Sequence, residues 1–131
     1  MIVVDGSSFL ALVTGANDSA IARARQSYGG PLYMAHTTGL ETTFGFIGEN
    51  GIESIRLIQH TIKDAKLFVV PTTEDIRLAS LAAFETYGAG RHPQSILSIG
   101  DCAAYVLAQS MGARLVSESD RFDIISTSLH R

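Results

Sequence analysis

Four acids stand at positions where a fold could gather them. Asp5 directly follows the β-branched run Ile2-Val3-Val4, and Glu41 lies three residues after Thr38. Asp101 is third after Ser98 at the start of an alanine-rich segment, and Asp120 sits just past Arg114-Leu115-Val116-Ser117. Two carboxylates about 4 Å apart repel by roughly 4 kcal/mol at an effective dielectric of 20. A gathered set therefore protonates, splays apart or holds a cation. The donors on offer are oxygens, with no Cys/His set at zinc spacing, so Mg²⁺ or Mn²⁺ is the natural occupant. One or two such ions can activate a water, orient a phosphodiester and neutralise charge on the leaving oxygen. No side-chain nucleophile is then required.

The elements that must position these acids alternate between strand and helix. Residues 2–4 form a strand buried on both faces. Gly6, Ser7 and Ser8 turn the chain into a short helix over Phe9-Leu10-Ala11-Leu12-Val13. Asn17 or Asp18 caps a second helix carrying Ile21 and Ala24, stopped at Gly29-Gly30-Pro31. The Thr38 and Glu41 spacing is that of a capping box ahead of a helix with Phe44 and Ile47. Ile52, Ile55, Ile58 and Ile62 recur at helical spacing, and residues 67–71 read as a second strand. Thr72 or Thr73 opens a helix that runs to Tyr87 and ends at Gly88. After a glycine- and proline-bearing loop, a helix runs from near Ser98 to Met111 and Gly112 ends it. Residues 114–117 make a third strand, and Ile124-Ile125-Ser126 is a candidate fourth. Such alternation implies an α/β sandwich with a parallel sheet. Active sites of those sheets collect where the strands' carboxyl ends meet helix starts. Asp5, Asp101 and Asp120 are all candidates for that one end.

Composition narrows the class. A chain of 131 residues suits one domain, spanning residues 1–131, with a core large enough to need no crosslinks. Apolar residues make up 46% and charged residues 18%, which argues against disorder. The single cysteine, Cys102, has no internal partner, and it reads as a small buried hydrophobe in a reducing compartment. No apolar run approaches the roughly 20 residues that cross a bilayer, and the start lacks a positively charged leader region, so no membrane is expected and the cytoplasm is the default. The net charge of −3 and pI near 5.7 exclude a protein that grips nucleic acid by bulk positive charge. They leave room for an enzyme that meets RNA through metal ions and a few local cations.

At this point a resemblance becomes specific. The opening Ile2-Val3-Val4-Asp5-Gly6-Ser7 resembles the start of PIN domains, an Asp at a strand end followed one residue later by Ser or Thr. The Gly90-Arg91-His92-Pro93 loop, the Gly100-Asp101-Cys102 helix start and the turn ending in Phe122 resemble the C-terminal half of VapC toxins. The match covers nearly the whole chain, with residues 14–75 similar in pattern rather than residue by residue. This resemblance implies a three-layer α/β/α sandwich with a mostly parallel central sheet. It also implies a Mg²⁺- or Mn²⁺-dependent endoribonuclease acting as the toxin of a toxin–antitoxin pair, with an inhibiting antitoxin and a homodimer. Asp5, Glu41 and Asp101 become the metal-binding carboxylates, Ser7 their support, and Asp120 the fourth acid, with Ser119 and Asp123 as alternatives in the same turn. The chain departs from the pattern at Gly6, where Thr, Ala or Ser is usual, and at Arg121, where an acid often precedes the Phe.

Each of these residues also has a structural reading. Asp5 caps the first helix in that reading, Glu41 partners Thr38, and Asp101 partners Ser98. Arg91 is a candidate contact for RNA phosphate as a bidentate fork, or an ordinary loop residue beside Pro93. Phe9, Leu12, Phe44 and Phe46 form either a groove for an amphipathic antitoxin helix or part of the core. Two alternatives stand beside the nuclease. One is a PIN-like module kept for binding or assembly, with weakened or no catalysis. The other is a phosphate-processing enzyme using Asp5 as nucleophile, which Ser7 disfavours because the second Asp of a DxD pair is missing there.

Overall fold

The computed structural model describes residues 1–90 and 96–125. Among these, four strands form one parallel sheet in the order β3-β2-β1-β4. The strands are β1 (Ile2–Val4), β2 (Leu32–Ala35), β3 (Leu67–Val70) and β4 (Arg114–Val116). The helices are α1 (Gly6–Thr14), α2 (Ala20–Tyr28), α3 (His36–Asn50), α4 (Ser54–Asp64), α5 (Glu74–Tyr87) and α6 (Ile99–Met111).

Strand alternation divides the core in two. Ile2 and Val4 point to one face, where Phe9, Val13, Ile21, Ala24 and Ile58 of α1, α2 and α4 cover them. Val3 points to the other face, against Ile76 of α5 and Ala103, Ala104 and Leu107 of α6. The result is the three-layer α/β/α sandwich expected from the sequence. Small residues on α6 let that helix lie close over the sheet centre, so its N-terminus is fixed relative to the strand ends. Phe9 is fully buried and Leu12 and Phe46 are partly buried, so these three belong to the core or pack on it, while Phe44 is 67% exposed.

Several boundaries differ from the sequence expectations, each for a physical reason. Strand β2 was not expected, because Leu-Tyr-Met-Ala carries no β-branched residue; its pairing with β1 and β3 makes it a strand. Ile124 and Ile125 are helical rather than extended, and Ser126 is outside the described residues. Helix α2 is capped by Ser19, whose hydroxyl accepts from the Ala22 N–H, not by Asn17 or Asp18. Helix α3 begins at His36 without a side-chain cap, so Thr38 and Glu41 do not form a capping box there.

Candidate active site

The site begins with register. Val4 pairs with Val116, so the residues that follow, Asp5 and Ser117, leave the sheet side by side. Asp5 is 1% exposed and caps α1: its Oδ1 accepts from the Ser8 N–H at 2.8 Å. Ser7 Oγ sits 2.8 and 3.0 Å from the two Asp5 oxygens as donor, and Ser117 Oγ donates to Oδ2 at 2.6 Å. The Glu118 N–H donates to Ser7 Oγ at 2.9 Å, tying the turn after β4 to the start of α1. Ser7 therefore holds Asp5 through its hydroxyl. Ser117 was missed, and its signal was the same as that of Asp5: a polar residue at a buried strand's carboxyl end.

Helices α3 and α6 meet across the next part of the site. Ser98 and Asp101 form a full capping box: Ser98 Oγ accepts from the Asp101 N–H and Asp101 Oδ2 accepts from the Ser98 N–H. Glu41 caps the same helix from outside. Its Oε2 accepts from the Gly100 N–H at 3.2 Å, and its Oε1 accepts from Ser98 Oγ at 2.5 Å. Thr38 Oγ1 donates to the Gly100 carbonyl at 2.7 Å. Thr38 and Glu41, spaced as a capping box for their own helix, thus clamp α3 onto the start of α6. Exposed Glu41 faces the cleft, and buried Asp101 lies beside it.

Arg121 closes the group. Its Nη1 donates to Asp101 Oδ2 at 3.0 Å, and its Nε and backbone N–H both donate to Ser119 Oγ. The Asp101 hydrogen bond raises the guanidinium's pKa above its ordinary value, burial opposes that rise, and the charges of Asp101, Asp5 and Glu41 each add a smaller rise. One cation thus feels three carboxylates from three parts of the chain. Ser7, Leu10, Glu41, Phe46, Asp101 and Arg121 line a common cleft. Asp120 is exposed and is not among the residues lining it. Arg91 and His92 lie outside the described residues. Gly6 also finds a reason: a Cβ there would lie 2.5 Å from Thr42 Oγ1 on α3, so its lack of a side chain lets α1 and α3 approach.

The donor chemistry suits a hard divalent ion, since every convergent ligand is an oxygen. Among the described residues, no three Asp, Glu, His or Cys side chains are grouped to hold an ion as they stand. Asp101 Oδ2 is engaged by Ser98 and Arg121, and Glu41 by Ser98 and Gly100.

Behind this cluster, burial first and then the charges of Asp101 and Glu41 push the Cys102 thiol up to about 12. A thiol ionises near pH 8.5 in an unfolded chain. Keeping it protonated in the fold therefore favours the native state up to about that pH, and the advantage fades as pH rises towards 12. The expected result is that native protein resists a thiol reagent at pH 8, while the urea-unfolded chain reacts fully. Rapid labelling of the native chain would show that Cys102 is accessible and ionised.

Comparison with known proteins identifies the family. The PIN domain family model matches residues 2–126. A VapC ribonuclease of Mycobacterium bovis and ribonuclease VapC30 of Mycobacterium tuberculosis are each 28% identical over 120 residues, covering 92% of this chain and 91% of theirs. The crystal structure of Mycobacterium tuberculosis VapC20, a toxin that cleaves the sarcin-ricin loop, superposes with TM-score 0.70 at 15% identity, covering 95% of both chains. A toxin–antitoxin complex from Klebsiella pneumoniae contains a chain with TM-score 0.62 at 16% identity, covering 93% of this chain and 90% of that one. The chain belongs to the PIN-domain family, and within it is similar to toxins of the VapC type.

Proposed function

We propose that this protein is a Mg²⁺- or Mn²⁺-dependent endoribonuclease, the toxin of a type II toxin–antitoxin pair, built as a single nuclease domain. The observation that carries the reading is the cleft at the carboxyl end of the sheet that Glu41 and Asp101 line from different helices, with Ser7, which holds the buried Asp5 carboxylate, on the same wall. Its support is the likeness to VapC ribonucleases along nearly the whole chain. Asp5, Glu41 and Asp101 would hold the ion, with Asp120 proposed as the fourth acid on the neighbouring turn. The ion, when bound, supplies Lewis-acid polarisation and neutralises charge that builds on the phosphate.

The chain's own residues do the remaining work. Ser7 and Ser117 fix the Asp5 carboxylate by donating hydroxyl hydrogens to it. Thr38 holds α3 against α6 and so sets where Glu41 meets the cleft. Arg91 is proposed to contact RNA phosphate, which suits a chain whose net charge is −3 and whose grip on RNA must be local. An antitoxin that inhibits the site and a homodimer are part of the same reading, motivated by the VapC likeness. No helix among the described residues is long and apolar enough to cross a membrane, and we place the protein in the cytoplasm.

The test is cleavage of a structured RNA by purified protein. Activity is expected to vanish in EDTA and return with excess Mg²⁺ or Mn²⁺. Undiminished cleavage in chelator would remove the metal from the mechanism. Failure to bind either ion at millimolar concentration would favour the second reading, a PIN module kept for binding or assembly, which the engaged carboxylates and Arg121 motivate.

A further inference from the structure

We propose that Arg121 is a built-in counter-cation that competes with the divalent ion for Asp101, so that metal loading requires its guanidinium to swing away. This rests on the reading above, in which Asp5, Glu41 and Asp101 take the ion.

Four features of the contact support it. The Asp101 oxygen nearest the guanidinium is Oδ2, and that atom already accepts from the Ser98 N–H. A carboxylate oxygen so engaged has little room left for a metal. Asp101 cannot turn elsewhere, because its side chain is 7% exposed and locked in the capping box of α6. The Arg121 side chain is 40% exposed and stands on a surface turn, so it is the movable partner. Its aim is nonetheless set in advance, since Ser119 Oγ accepts from both its backbone N–H and its Nε. The charge that pairs with Asp101 therefore opposes an ion that would replace it there. A monovalent cation about 5 Å from a divalent one costs roughly tenfold in affinity even at water-like screening, and more at lower dielectric.

Isothermal titration of the full chain with Mn²⁺ alone tests this, comparing wild type with Arg121→Gln and Arg121→Asp. Glutamine keeps hydrogen-bonding capacity without charge, and aspartate adds an oxygen ligand. The expected Kd falls by about tenfold or more in Arg121→Gln and further in Arg121→Asp. Thermal unfolding gives a second readout: Mn²⁺ is expected to raise the Tm of Arg121→Gln more than that of wild type. A variant that folds only after Mn²⁺ is added is the same outcome in its strongest form. Equal affinity in wild type and both variants overturns the counter-cation and leaves the nuclease reading intact. A variant unfolded at every Mn²⁺ concentration overturns it too, because Arg121 would then be a clamp the ion cannot replace. No binding by any of the three proteins removes both proposals together.

Discussion

Asp101→Asn is expected to cleave RNA at least about 100-fold more slowly than the wild-type chain while remaining folded. The substitution is nearly isosteric, and the remaining carbonyl oxygen can still accept from the Ser98 N–H. What disappears is the charge that pairs with Arg121 and that the proposed ion would share. The stability cost should be small, about 1 kcal/mol, because the change weakens a helix cap and an ion pair whose arginine is partly in water. Single-turnover cleavage together with urea unfolding separates the two effects. Wild-type rates in a folded Asp101→Asn protein would reduce Asp101 to the capping role it visibly has.

That double role runs through the cluster. Asp5 caps α1, Asp101 completes the capping box of α6, and Glu41 caps α6 from α3. From sequence, capping and chemistry looked like rival readings of each acid. In the fold the two readings are compatible. A helix N-terminus carries exposed N–H groups and positive dipole, so it is a place where a carboxylate can be held without water. Capping fixes the carboxylates; it leaves their charge available to a cation in the cleft.

The legible parts of this protein were those with local signals. Ile2-Val3-Val4 announced a buried strand, Ser98 and Asp101 announced α6, and Gly112 its end. What escaped depended on tertiary context. Leu32–Ala35 has no strand signature of its own and becomes β2 through its neighbours on both sides. Glu41 and Thr38 had the right spacing for a local cap, yet they bond to a helix about sixty residues away, which spacing along the chain cannot reveal. Ser117 needed the register of β1 with β4 before its place beside Asp5 could be seen. Arg121 was visible only as an irregularity where an acid was expected; the structure turns it into the cation on Asp101.

Gly100→Ala is expected to slow cleavage with little change in stability. Alanine in place of glycine near the start of α6 favours the helix by up to about 1 kcal/mol, and the lost cap from Glu41 offsets a gain of that size, so the Tm should stay close to that of wild type. The added Cβ, however, would lie 2.6 Å from Glu41 Oε1 and 2.9 Å from its Cδ. Glu41 is exposed and long, so the clash is relieved by displacing that side chain rather than by unfolding α6. Displacement breaks its bonds with the Gly100 N–H and Ser98 Oγ and takes one carboxylate out of register with Asp5 and Asp101. Loss of a precisely placed carboxylate of this kind should slow cleavage by about 10- to 100-fold. Glu41→Gln is the companion variant, since it neutralises the same group without crowding it. If Gly100→Ala is folded and cleaves as fast as wild type, the position of Glu41 does not matter to the reaction, and α3 contributes only the clamp at Thr38.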